Sequence, residues 1–194
     1  MTGERSLHNG TDVETTAHVV ASTRQWLEKA VIGLKLCPFA AAPYATNRVR
    51  FCVSEGRTQA LLRQDLQREL LSLAKADPLE CETTLLIHPW VLQEFSDYNE
   101  FLGECEDLLV ECALADDLQI ASFHPRYQFA GVDANDIGNY TNRSPYPMLH
   151  LLRQSSVTIA VDGFAGIHEI GSKNIETLHE LGHERWKQLW EVAK

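Results

Sequence analysis

The sequence has no hydrophobic run long enough to cross a membrane. None of its apolar stretches approaches the roughly 18 residues that a membrane span requires, although 44% of the 194 residues are hydrophobic. Residues 1–16 are polar and lack the hydrophobic segment of a signal peptide, so we expect a flexible tail there. We therefore expect a cytoplasmic protein with no membrane partner.

Positive charge is also scarce. The chain has 17 Lys and Arg residues against 27 Asp and Glu residues, which gives a formal net charge of −10. A surface of this sign repels the phosphate backbone of DNA or RNA. We therefore expect no nucleic-acid partner.

The cysteines show no paired spacing that would indicate a disulfide framework. There are five, an odd number, which fits a reducing compartment. Cys105 and Cys112 fall on an apolar helical stripe and are expected in the core. Cys37 stands apart, because it follows a predicted helix and precedes a proline.

The length suffices for one domain, which we place at residues 17–194. Apolar periodicity predicts helices at about 18–36, 62–75, 98–112 and 174–193. Runs of strand-forming residues predict strands at 49–53, 83–87 and 118–123. This alternation predicts an α/β or α+β domain with a small, largely parallel sheet of three or four strands covered by helices.

The region from Ser144 to residue 161 is harder to assign. Ser144 and Pro145 form the usual start of a helix, which would carry His150 and Arg153 one turn apart. Residues 157–161 alternate like a fourth strand, yet the preceding serine pair is equally suited to cap a helix. The sequence leaves both alternatives open for 157–161.

Four stretches of the chain are distinctive in sequence and order: VIGLKLCPFA, TTLLIHPWVL, IASFHPRYQFAG and NYTNRSPYPMLHLLR. With them the chain resembles the mainly bacterial domain of unknown function family 1415, over roughly Thr23 to Trp186. The resemblance implies a cytoplasmic single-domain protein. It implies no activity, substrate or catalytic residue.

Two predicted strands each run into a His-Pro pair, at His88 and His124. The carboxyl ends of neighbouring parallel strands meet at one edge of a sheet, so both imidazoles would face one crevice. They are candidates for acid/base or metal-binding groups, and Cys37 is a third catalytic candidate if the fold brings it near. The alternative is that these residues are structural: each histidine bonds a nearby carbonyl, and Cys37 is buried at its helix end.

The polar loop from Arg126 to Arg143 is long for a compact domain, which favours a binding role. Arg143 would clamp an anion through paired hydrogen bonds. The other binding candidates around it are Tyr127, Asn142, Ser144 and His150. Alternatively, the polar side chains of the loop satisfy the loop's own backbone.

Residues 179–183 read HELGH and match the H-E-x-x-H pattern of zinc peptidases. Such a site needs a third protein ligand. Only Glu191 follows as a plausible carboxylate, and it lies two turns beyond His183 on the same predicted helix. We therefore expect no zinc at His179 and His183, and no metal or cofactor is assigned.

The sequence supports two functional hypotheses. The first is an enzyme that acts on a small anionic metabolite, with His88 and His124 near the reaction and Arg143 as the clamp. The second is a non-catalytic binding or assembly protein that presents the polar loop with Trp90 and Tyr146. The sequence specifies neither a reaction nor an oligomeric state.

Overall fold

One sheet of four strands organises the molecule. The computed structural model describes residues 9–163 and 169–189, and its strands are β1 (Val49–Val53), β2 (Thr83–Ile87), β3 (Leu118–Phe123) and β4 (Met148–Arg153). Their order across the sheet is β1-β2-β4-β3. The three strands predicted from the sequence are confirmed.

The strand directions differ from the expectation. β1 and β2 are parallel, but β4 lies between β2 and β3 and is antiparallel to both. The sheet is therefore mostly antiparallel, and the prediction of a largely parallel sheet is wrong. Because β2 and β3 run in the same direction on either side of β4, their carboxyl ends still lie at one edge.

The prediction of a helix from Ser144 is also wrong, because His150 and Arg153 lie on β4. This strand has neighbours on both sides, and four of its six residues are buried. A strand covered on both faces loses the alternation of apolar and polar residues, so its pattern resembles that of a helix. Residues 157–161 belong to the following helix, so the helical alternative holds there.

Helices cover both faces of the sheet. They are α1 (Asn9–Trp26), a π-helix (Leu27–Ile32), α2 (Ala41–Ala45), α3 (Gln59–Lys75), α4 (Phe95–Glu111), a 3-10 helix (Ile137–Thr141), α5 (Gln154–Gly163) and α6 (Ile170–Gln188). The first helix begins earlier than expected, so part of the predicted tail is helical. Residues 1–8 of that tail and 190–193 of the predicted last helix lie outside the described residues.

Successive residues of β2 point to opposite faces and divide the core in two. Leu86 packs with the leucines of α3 and the apolar stripe of α4, whereas Leu85 and Ile87 pack with α1 and α6. We call these the α3/α4 face and the α1/α6 face. The molecule is thus a single α+β domain, and no helix within the described residues has the length and apolarity to cross a bilayer.

Candidate functional site

His88 and His124 lie on the α3/α4 face, on either side of Tyr98 from α4. The ring centroids of His88 and Tyr98 are 5.8 Å apart, and those of Tyr98 and His124 are 5.1 Å apart. The fold therefore brings the two histidines together at one edge of the sheet. Both are fully buried, however, with 0% of their surface exposed, and they do not border an open crevice.

The ring nitrogens of His124 are both engaged with the backbone. Nε2 lies 3.2 Å from the carbonyl oxygen of Leu92, which accepts only, so Nε2 carries the proton and donates. Nδ1 accepts from the backbone N–H of Arg126 at 3.0 Å. His124 is therefore a neutral ring that joins two loops, as the structural alternative describes.

Only one ring nitrogen of His88 forms a hydrogen bond among the described residues. Its Nδ1 donates to the carbonyl oxygen of Val91 at 3.1 Å. Its Nε2 is buried and has no hydrogen-bond partner among the described residues. Together, His88 and His124 hold the loop after β2, in which Leu92 has a left-handed backbone with φ of 58°.

Burial keeps both imidazoles uncharged. Burial lowers the pKa of His88 from 6.5 to about 4; the hydrogen bond to Val91 opposes this shift and the nearby His124 adds to it. Burial also lowers the pKa of His124, against the hydrogen bond to Leu92. A neutral ring at neutral pH suits a structural hydrogen bond as well as proton transfer, so geometry must decide between them.

The hydroxyl of Tyr98 bridges two strands beside these histidines. It donates to the carbonyl oxygen of Met148 on β4 at 2.9 Å and accepts from the N–H of Phe123 on β3 at 3.0 Å. The side chain thus replaces a direct bond between the strands at the end of the ladder. This hydroxyl is fixed as a structural group.

The opposite face of the sheet holds a cavity of about 130 Å³. Most of its wall is apolar and comes from the π-helix region, the sheet and α5, including Trp26, Leu27, Val31, Phe39, Leu85, Phe123, Leu152 and Val157. Two candidate residues, Cys37 and His150, also line it. Cys37 and His150 therefore line one cavity, on the face of the sheet away from the His88 and His124 cluster.

The tautomer of His150 follows from its neighbour Thr83. The hydroxyl of Thr83 donates its single proton to the carbonyl oxygen of Leu151 at 2.6 Å. It must therefore accept from His150 Nε2, which lies 2.7 Å away. Nε2 carries the ring proton, and Nδ1 is an acceptor with no hydrogen bond among the described residues.

Desolvation keeps the imidazole of His150 and the thiol of Cys37 neutral. Burial lowers the pKa of His150 from 6.5 to about 4, although part of its surface remains accessible through the cavity. Burial also raises the pKa of the Cys37 thiol, against hydrogen bonds from the backbone of Phe39 and Ala40. At neutral pH the cavity thus contains an uncharged imidazole and an uncharged thiol.

Arg143 is held by the loop that precedes it. Its Nε donates to the carbonyl oxygen of Tyr127 at 3.1 Å, its Nη2 donates to that of Ala134 at 2.6 Å, and its guanidinium stacks on Tyr140. Its own carbonyl oxygen accepts from Trp26 Nε1 at 3.0 Å. Arg143 therefore organises the loop, and it also lines a cleft on the surface.

The other binding candidates of this region make local contacts. Asn142 donates to the carbonyl oxygen of Ser122 at 3.0 Å, and Ser144 donates to that of Tyr146 at 2.7 Å. Tyr127 packs its ring against Phe95 and Phe129. Ser144 shares the surface cleft with Arg143, whereas His150 belongs to the cavity.

The two histidines of HELGH do not share one helical face. Gly182 between them has φ of 72° and ψ of 162°, so the helix is kinked there. His179 lies 3.6 Å from Asp136, and His183 contacts the ring of Tyr140. No group of three potential metal ligands occurs among the described residues, and Glu191 lies outside them. The absence of zinc remains a prediction that metal analysis would test.

Sequence reasoning missed the two residues that define the polar end of the cavity and its wall, Thr83 and Trp26. Thr83 is the first residue of β2, and no motif marks it as the partner of a histidine 67 positions later. Trp26 was inside a predicted helix, and a tryptophan there is most simply read as core. The pairing of β2 with β4 brings Thr83 to His150, and the packing of α1 against the sheet brings Trp26 to the cavity.

The fold and the cavity define an α+β domain whose sheet bears an apolar cavity on one face. The chain belongs to the family described as Protein of unknown function (DUF1415), whose model matches residues 18–188. Comparison with curated proteins and with solved structures finds no match.

Proposed function

We propose that the protein binds a small, mostly apolar molecule in the cavity and that this molecule donates one hydrogen bond to His150. The observation that carries this proposal is the side chain of His150, which lines a mostly apolar cavity and whose Nδ1 acceptor has no hydrogen bond among the described residues. Ligand sites are commonly apolar cavities in which a few polar groups fix orientation. His150 would be the orienting group here.

The size of the cavity limits the ligand. An apolar protein cavity of roughly 150 Å³ accommodates a benzene-sized molecule, and this cavity measures about 130 Å³. A single aromatic ring or a short branched chain therefore matches the space. A hydroxyl or N–H group on such a ligand would donate the hydrogen bond to Nδ1.

The charges around the cavity argue against an anionic ligand at this place. His150 is neutral, and Glu82 at the lining is already paired with Arg48, so neither supplies a positive charge for an anion. Arg153 also contributes to the lining, but its Nη2 donates to the carbonyl oxygens of Leu73, Ala76 and Cys81. A neutral ligand avoids the cost of burying an unpaired charge.

The same charges favour binding over covalent chemistry. A thiol whose pKa is raised supplies little thiolate, which is the reactive form. The catalytic roles expected for His88, His124 and Cys37 remain predictions. The proposal thus takes the non-catalytic binding alternative and places it at the cavity.

Phenol and toluene test the proposal, because they have nearly the same shape and only phenol donates a hydrogen bond. Both affinities would be measured by calorimetry or NMR titration for the wild type and for His150→Phe. The ratio of phenol affinity to toluene affinity should fall about 3- to 10-fold in the variant, the usual contribution of one hydrogen bond. Comparing ratios cancels the difference in hydration between the two molecules.

Val157→Phe is the matched control. It places a larger side chain at the cavity wall from α5 and leaves His150 and Thr83 intact. It should weaken phenol and toluene alike. An unchanged phenol-to-toluene ratio in His150→Phe, or no binding of either molecule to the wild type, would contradict the proposal.

A further inference from the structure

A second cavity lies outside the sheet, between α1, the loop that precedes β4, and α6. It measures about 380 Å³, and its lining includes Gln25, Tyr140, Arg143, Tyr146 and Trp186. We call it the Arg143 cleft. It is distinct from the cavity at His150, and the inference about it does not rest on the proposed function.

The guanidinium of Arg143 uses one of its two hydrogen-bonding edges for the loop. Nε and Nη2 form the side edge, and they donate to the carbonyl oxygens of Tyr127 and Ala134. The remaining edge consists of Nη1 and the second proton of Nη2. Nη1 makes no hydrogen bond within the described part of the chain.

The positive charge of Arg143 also has no acidic partner among the residues that the structure describes. None of the carboxylates in the described ranges lies within 4 Å of it, whereas Arg48, Arg50, Arg63, Arg68 and Arg126 each have one. The loop carbonyls and the ring of Tyr140 hold the guanidinium in place. An oriented edge with two donors and a net positive charge fits the two oxygens of a carboxylate.

The walls of the cleft indicate what kind of carboxylate fits. Tyr140, Tyr146 and Trp186 are aromatic, and they suit an organic body attached to the charged group. Pro145 lacks a backbone N–H, so the cleft offers fewer donors than a phosphate group requires. We propose that the Arg143 cleft binds a small organic carboxylate through the free edge of the guanidinium.

Benzoate and benzamide test this proposal, because they share one shape and only benzoate is charged. Binding would be followed by NMR titration of backbone amides, and benzoate should shift those of Ser144 and Tyr146. Benzoate should bind at least about tenfold more tightly than benzamide, as expected for a hydrogen bond to a charged group. Added salt should reduce this preference.

Two glutamine substitutions distinguish the effect of a negative charge in the cleft from the effect of a more negative net charge. Gln25→Glu places a carboxylate in the cleft and leaves every hydrogen bond of Arg143 in place, so benzoate affinity should fall at least about tenfold. Gln64→Glu makes the same change of charge on an exposed position of α3. It should alter benzoate affinity by less than about twofold.

Arg143→Lys gives an independent check, because lysine keeps the positive charge and loses the planar fork. Benzoate affinity should fall in this variant too, provided that the variant is folded, as shown by a cooperative unfolding transition. The proposal would be overturned if benzoate bound no better than benzamide, if it shifted amides only elsewhere, or if Gln64→Glu weakened benzoate as much as Gln25→Glu. Loss of the fold in Arg143→Lys leaves the glutamine pair to decide.

Discussion

Histidines lie against both faces of the sheet, and the two faces use them differently. On the α3/α4 face, both ring nitrogens of His124 form hydrogen bonds with backbone groups, and one ring nitrogen of His88 does so. On the α1/α6 face, His150 Nε2 donates to Thr83, Nδ1 has no hydrogen bond among the described residues, and the side chain lines a cavity. Burial lowers the pKa of all three rings.

A shifted pKa alone therefore does not locate a binding site. Desolvation acts on any buried imidazole, whether the ring has a structural role or a binding role. The distinguishing feature is the second ring nitrogen and the space beside it. By that criterion His150 is the binding candidate, and His88 and His124 stabilise the loop after β2.

The largest expected effect comes from Tyr98→Phe on the α3/α4 face. The change leaves the N–H of Phe123 and the carbonyl oxygen of Met148 without their buried partner. The free energy of unfolding should fall by about 2 to 6 kcal/mol, measured by urea denaturation.

Tyr44→Phe serves as its control, because that hydroxyl bonds Glu28 at the exposed surface. Its removal should cost less than about 1 kcal/mol. Equal losses in the two variants would show that the bridge between β3 and β4 does not contribute as described.

Acid should destabilise both regions. The unfolded chain protonates histidine near pH 6.5, whereas folded His88 and His150 take up a proton near pH 4. Between these values the unfolded state binds more protons, so stability falls as the pH falls. Each histidine contributes up to about 3 kcal/mol, present above the unfolded pKa and lost on approach to the folded pKa.

The measurement is urea denaturation as a function of pH for the wild type, His88→Phe and His150→Phe. In each of the two variants the free energy of unfolding should fall less steeply with falling pH than in the wild type. His18 is exposed, so His18→Phe should keep the wild-type pH dependence. If His88→Phe and His150→Phe both parallel the wild type, neither histidine is the buried neutral group described here.

Replacing one histidine on each face should cost different amounts of stability, because His124 has a structural role and His150 is the binding candidate. His124→Phe leaves the carbonyl oxygen of Leu92 unpaired, whereas the N–H of the exposed Arg126 can bond water, so it should cost about 1 to 3 kcal/mol. His150→Phe leaves the Thr83 hydroxyl bonded to Leu151, so at neutral pH it should cost less than about 1 kcal/mol. Thermal unfolding of both variants would test the difference, and equal losses would contradict it.

The smallest expected effect concerns the reactivity of Cys37. Its thiol lines the cavity, so a bound molecule should shield it from a small alkylating reagent such as iodoacetamide. At half occupancy by phenol the rate should fall by about half, as followed by peptide mass spectrometry. Cys112 follows α4 away from the cavity and is partly exposed rather than in the core as predicted, so it is the internal control. Phenol that slows both cysteines equally would indicate a nonspecific effect.

Local patterns made much of the fold predictable. The apolar stripe of α4 and the strand formers of β1, β2 and β3 led to the right elements because each segment shows its own periodicity. β4 was not predictable in this way, because it is covered on both faces and Met148–Arg153 contains none of the β-branched or aromatic residues that indicate the other strands. Its insertion between β2 and β3 depends on contacts between distant segments, which local periodicity does not encode.

The candidate site was predictable only in part. Cys37 and His150 were candidates by residue type, but they line the same cavity only because β4 is a strand rather than a helix. His88 and His124 do lie at one sheet edge, as the strand directions required. Their burial could not be foreseen, because the helix that covers them places Tyr98 between them only in the folded molecule.

The most direct test of the account is the ¹⁵N NMR spectrum of the histidine rings during titration with phenol at neutral pH. We expect His150 to be the Nε2–H tautomer and its Nδ1 resonance to move as the cavity fills, while the ring-nitrogen resonances of His88 and His124 do not change. An Nδ1–H tautomer at His150, or a response at His88 or His124 without one at His150, would contradict it.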